Sequence, residues 1–155
     1  SWSLGAAERV GAQGKVLACD IQSTVTVFPP NVEFHQEDVF QRSEAFERQL
    51  AETGPFHVVM SDMAPQTTGT KFTDQARSLE LCLEALAVAE KYLVKGGSFV
   101  VKIFMGPDVG ELLKGMRPRF ARVTSFKPQS SRVESKETFF VGLGFKGKEA
   151  DGARD

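Results

Sequence analysis

Three charged residues stand out for where they sit. Lys102 lies inside the apolar run Phe99–Met105, Asp62 closes the run Phe56–Ser61, and Glu137 directly precedes the run Thr138–Phe145. A charge drawn into an apolar strand is costly unless a group of opposite sign meets it. Lys102 therefore requires carboxylates, and Asp62 and Glu137 occupy the strand ends that could supply them. That trio carries most of what the residues alone say about function. Each residue also has an ordinary use. Asp62 could cap the backbone of the turn Asp62-Met63-Ala64-Pro65, Lys102 could snorkel from an edge strand, and Glu137 could be a solvated strand-end charge.

The elements that must position these residues alternate between apolar runs and amphipathic stretches, the pattern of parallel β/α units. Strands are expected over Lys15–Asp20, Val32–Gln36, Phe56–Ser61, Ser98–Phe104, Val123–Lys127 and Thr138–Phe145. Helices are expected over Ser1–Val10, over Ser43–Glu52 with Ser43 as N-cap, over Asp74–Val94 and over Val109–Met116. The stop for the third helix is read at Lys95-Gly96-Gly97. The last two strands are read as a hairpin-like return with the final strand antiparallel. The fold class is thus α/β, a mostly parallel, Rossmann-like sheet flanked by helices. Ligands in such sheets sit at the carboxyl ends of the strands, and Asp20, Asp38 and Asp62 fall at or just past three of those ends.

Composition narrows the function classes. The 155 residues are 41% hydrophobic and 25% charged with a formal net charge of −1, so bulk charge does not announce a nucleic-acid partner and any basic surface must be local. Lys127, Arg132 and Lys136 form such a local cluster, with Lys71 and Arg77 as further candidates; a solvated face is the alternative. Cys19 and Cys82 are far apart, and no Cys/His cluster suggests zinc, so no metal is expected and a reducing, cytoplasmic setting is the simplest. No apolar stretch approaches the roughly 20 residues of a membrane-spanning helix, and no membrane partner is expected. His35 and His57 stand alone in strands and read as structural, and the 13 phenylalanines read as core rather than as platforms for bases.

Three motifs, in order, resemble those of the FtsJ/RrmJ family of S-adenosylmethionine-dependent RNA ribose 2′-O-methyltransferases. They are Ser61-Asp62-Met63-Ala64-Pro65 followed by Thr68-Gly69; Gly96-Gly97-Ser98-Phe99-Val100-Val101-Lys102; and Lys127-Pro128-x-Ser130-Ser131-Arg132-x-x-Ser135-x-Glu137. The resemblance runs from Ser1 to about Phe145. It implies one methyltransferase domain over residues 1–146, followed by a polar tail over 147–155. It implies Asp62, Lys102 and Glu137 as catalytic residues, with Lys102 either the base or the group that orients the attacking oxygen. It further implies S-adenosyl-L-methionine as cofactor, held by Trp2, Asp20, Asp38, Val39, Asp62 and Met63: Asp20 on the ribose hydroxyls, Asp38 on the adenine amino group, the others lining the pocket. Lys127, Arg132 and Lys136 would contact RNA. The implied substrate is a uridine ribose of large-subunit (23S) ribosomal RNA, and the protein is expected to act as a monomer.

The family's first catalytic lysine, first strand and glycine-rich loop have no counterpart here. Ser1-Trp2-Ser3 looks like the end of that loop, so the first strand is expected to lie upstream of Ser1. The segment as it stands is expected to bind the cofactor poorly and to catalyse weakly or not at all, and tight binding by calorimetry would contradict this. Two rivals share the residues. A methyltransferase acting on tRNA carries the same motifs, and a non-catalytic RNA-binding assembly factor could keep the same fold. A nicotinamide-dependent oxidoreductase would explain Asp20 but neither Lys102 nor Glu137, and it lacks a Gly-x-Gly-x-x-Gly loop.

Overall fold

The computed structural model describes residues 6, 8–20, 24, 26–62, 69–104, 106–107, 109–127 and 137–147, with the side chains of 71 and 72 excepted. The chain divides into two compact units, Ser1–Gly54 and Pro55–Asp155.

In the first unit, β1 (Val16–Asp20) and β2 (Val32–Gln36) pair in parallel, from Val16 opposite Val32 to Asp20 opposite Gln36. The helix α1 (Glu44–Thr53) follows β2. Ser43 Oγ accepts from Phe46 N at 3.1 Å, as expected of this N-cap, while Ser43 N and Oγ both donate to the Glu37 carboxylate. A cap of this kind stabilises a helix by about 1 kcal/mol. Phe46 and Leu50, one turn apart, form the buried stripe of α1, and the His35 ring lies 5.1 Å from that of Phe46.

The second unit begins with β3 (Phe56–Ser61), crosses through α2 (Lys71–Tyr92) and returns as β4 (Leu93–Phe104) in parallel with β3. After α3 (Val109–Met116) come β5 (Phe120–Phe126) and β6 (Glu137–Phe145). The sheet order is β3-β4-β6-β5, with β6 antiparallel to both neighbours. The antiparallel last strand matches expectation. Its insertion between β4 and β5 is a new fact, and it brings β6 directly beside Lys102.

Successive side chains of β4 point to opposite faces. Phe99, Val101 and Ile103 are buried against Cys82, Ala85, Leu86 and Ala89 of α2 and against Leu112 and Met116 of α3. Val100, Lys102 and Phe104 take the other face and are only half-buried. Gly142 is required under this core, because a Cβ there would come within 2.7 Å of the Phe120 ring.

The expected bounds shift at several ends, as where β5 starts at Phe120 instead of Val123, and the main difference is at the end of the long helix. The long helix ends at Tyr92, and the chain is already in strand at Leu93, ahead of Gly96-Gly97. Leu93 is buried, and it pairs with Phe56. The glycines lie within β4, where the register with β3 shifts between Phe56 and Val58, and Gly96 has φ +86°. Its left-handed freedom serves an irregularity in the strand, not a helix cap. Among the described residues, no helix is long and apolar enough to cross a membrane, and no group of three or more His, Cys, Asp or Glu is arranged to hold a metal.

Candidate functional site

In the second unit the sheet register carries the site. Lys102 is opposite Phe139 and Phe104 is opposite Glu137, so Glu137 lies diagonal to Lys102 on the same face. The side chains meet there, with Lys102 Nζ 2.9 Å from Glu137 Oε2. Lys102 is 20% and Glu137 40% exposed, so the pair is partly buried and still in contact with solvent. Ser61 is the last residue of β3 and pairs with Val101. Asp62, the next residue, therefore arrives level with Lys102 and is exposed. The structure joins Lys102 to Glu137 directly and aligns Asp62 with them by register.

The backbone around Lys102 is held from α2. Because β3 pairs with β4 only as far as Val101, the next peptide groups on that side need other partners. Phe104 N donates to Ser78 Oγ and Cys82 Sγ donates to Lys102 O, each at 3.1 Å. Ser78 and Cys82 are four apart, on one buried face of α2. Burial pushes the Cys82 thiol up to about 12, against smaller lowering effects of Ser78 and Lys102, so it stays protonated and able to donate. These two supports were missed by sequence reasoning. Their signal was a pair of small polar residues at i, i+4 on the apolar stripe of a helix.

On the far side of β6, Thr138 Oγ1 donates to Phe126 O at 3.0 Å and ties the start of β6 to the end of β5. Phe126 is opposite Phe139, and their rings stack at 5.1 Å and 14°. Lys127 follows immediately and is exposed. Arg77 is exposed on α2. Met63, Arg132 and Lys136 lie outside the described residues.

In the first unit, Asp20 ends β1 and is exposed, its carbonyl accepting from Glu37 N at 2.9 Å. Asp38 stands two residues beyond β2, at the same end of the strand pair. Asp38 Oδ1 accepts from Phe40 N at 2.9 Å and its carbonyl accepts from Gln41 N, so this carboxylate also shapes a turn. Val39 is half-buried within that turn, and its carbonyl accepts from Arg42 Nη1 at 2.7 Å. Trp2 lies outside the described residues. His35 has the structural setting expected of it: Nε2 is 2.6 Å from Glu33 Oε2, and this hydrogen bond, with Lys15 nearby, holds the Glu33 carboxyl below its usual range.

The family model described as FtsJ-like methyltransferase matches residues 1–145. The chain is 73% identical over 155 residues to the ribosomal RNA large subunit methyltransferase E of Nitratidesulfovibrio vulgaris (strain DSM 19637 / Miyazaki F), covering all of this chain and 76% of that protein. It is 66% identical over 146 residues to the protein of the same name from Lawsonia intracellularis, covering 94% of this chain and 73% of the relative. Among solved structures, one from Plasmodium falciparum described as a ribosomal RNA methyltransferase superposes with a TM-score of 0.76 at 24% identity, over 91% of this chain and 78% of that one, a likeness of fold. The chain belongs to the FtsJ-like methyltransferase family.

Proposed function

From that membership we propose that the protein transfers a methyl group from S-adenosyl-L-methionine to a ribose 2′-hydroxyl of RNA, specifically a uridine of large-subunit (23S) ribosomal RNA, acting in the cytoplasm as a monomer and without a metal. The observation that carries the reading is the Lys102–Glu137 ion pair, level with Asp62 on a strand rim. The names of the relatives support ribosomal RNA as the substrate.

The cofactor supplies an electrophilic methyl on a sulfonium, and the donor set fits its other parts. The exposed Asp20 carboxylate, at the end of a parallel strand, suits vicinal ribose hydroxyls, and the Asp38–Val39 turn suits an adenine amino group. Trp2 and Met63 are proposed to line the cofactor's surroundings. At the reacting centre, holding the hydroxyl in line with the methyl supplies much of the rate. Paired with Glu137 at 2.9 Å, Lys102 Nζ is placed to meet the 2′-oxygen, either orienting it or receiving its proton. In the orienting role the proton passes to a carboxylate of the rim or to water. Glu137 positions Lys102, and Asp62 lies beside the site of transfer. Lys127, Arg132 and Lys136 hold phosphates, fixing the strand without reading its sequence.

The test is transfer of labelled methyl from S-adenosylmethionine to large-subunit RNA lacking the modification, followed by alkaline hydrolysis. Label in an alkali-resistant dinucleotide is expected, because a 2′-O-methyl blocks cleavage. Label on a base would overturn the reading, label on tRNA alone would move it to the tRNA relatives, and RNA binding without transfer would favour an assembly factor.

A further inference from the structure

We infer that Phe126 is a stacking platform for a nucleobase of the substrate strand, adjacent to the ribose that reacts at Lys102. The inference rests on the RNA-methyltransferase reading and adds a residue that the catalytic motifs do not contain. Its basis is a row across the sheet. Asp62 follows the residue paired with Val101, Lys102 is opposite Phe139, and Phe139 is opposite Phe126, so acid, ammonium and two aromatics stand side by side on neighbouring strands.

Residues directly opposite one another share a face, so Phe139 and Phe126 open on the side where Lys102 meets Glu137. Phe139 is half-buried, and its ring is nearly parallel to that of Phe126. Phe126 is 50% exposed, which leaves a large apolar ring facing solvent at the rim of a candidate active site. Neighbouring strands are about 4.8 Å apart, so β5 stands about 10 Å from β4. A nucleotide with its 2′-oxygen over Lys102 spans a similar length to the far edge of its base, or to the base beside it.

The occupant follows from chemistry. A flat apolar ring already backed by a second ring offers a π-face with no hydrogen-bond code, which suits any base. Lys127, next in the chain, supplies positive charge where the strand's phosphate would pass. An apolar protein partner would be poorly matched by a rim that also carries Asp62, Lys102, Glu137 and Lys127.

The experiment compares Phe126→Ala, Phe126→Leu and Phe126→Trp in methyl transfer and in RNA binding, with thermal unfolding as the check on folding. Loss of one base–aromatic stack should raise KM and Kd for RNA by roughly 5- to 150-fold, with kcat changed less. Phe126→Leu, apolar but without a π-face, should behave like Phe126→Ala, whereas Phe126→Trp should retain wild-type KM. Substrates made abasic, one at a time, at the reacting nucleotide and at each neighbour should include one on which wild type and Phe126→Ala no longer differ. Wild-type KM in Phe126→Ala, full function in Phe126→Leu, or a difference that persists on every abasic substrate would overturn the inference. If the wild type transfers no methyl to ribose, the parent reading fails, while an equal shift in RNA affinity alone would still support the platform.

Discussion

Lys102 and Glu137 form a partly buried ion pair, 20% and 40% exposed, so removing one partner leaves the other uncompensated. Lys102→Ala is expected to lower methyl transfer by at least roughly 100-fold, the scale of losing a group that handles the reacting proton or oxygen, with thermal unfolding as the check that the variant is folded. Glu137→Gln should lower kcat less. The double variant should be no worse than Lys102→Ala alone, because the glutamate acts through the lysine; near wild-type transfer by Lys102→Ala would refute its role. Cys82 gives a second prediction. Buried at 1% exposure and with its thiol pushed up to about 12, it should resist iodoacetamide at pH 8 in the folded protein and react only on unfolding. Rapid native alkylation, read by peptide mass, would contradict the packing around Lys102. At this scale the sequence was informative because a charge inside an apolar run is anomalous by itself. Phe126 was not legible, since a phenylalanine in a strand signals core unless its neighbours across the sheet are known.

Helices and strands were legible wherever local chemistry decides them. Ser43 caps α1, the apolar run Phe99–Phe104 marks β4, and Leu112 and Met116 give α3 its buried stripe. What escaped was decided by partners distant in sequence. The double glycine at 96–97 carries a helix-stop signature, but buried Leu93 and its pairing with Phe56 draw the chain into strand earlier. Likewise, nothing local announces that β6 inserts between β4 and β5, although that insertion sets Glu137 beside Lys102. Gly142 belongs to the same level. It lies on β6 opposite Phe99, and the Phe120 ring packs over it between Phe99 and Phe145. A methyl at 142 would strike that ring within 2.7 Å. Phe120 is only 2% exposed and has little room to yield. Gly142→Ala should destabilise by about 1–3 kcal/mol, the usual cost of overpacking a core, measured by urea unfolding at unchanged m-value. A neutral result would mean that Phe120 can move at small cost.

A whole molecule with net charge −1 cannot hold RNA by bulk attraction, so its affinity must come from few, localised phosphate contacts together with stacking. The basic residues assigned to RNA number three, Lys127, Arg132 and Lys136, and all belong to the segment that joins β5 to β6 and leads into Glu137. Counterion release ties salt dependence to phosphates neutralised, with log K falling against log salt at about −0.7 per contact for a single strand. Three contacts predict a slope of about −2. The triple variant Lys127→Gln, Arg132→Gln, Lys136→Gln should flatten that slope toward zero and leave the stacking contribution in place. Phe126→Ala, by contrast, should weaken binding at every salt concentration without changing the slope. Fluorescence anisotropy on a short labelled RNA from 50 to 300 mM salt, roughly bracketing physiological ionic strength, separates the two. A slope steeper than about −5 would mean a basic surface much wider than this segment, and the assignment of RNA contact to these three residues would fall.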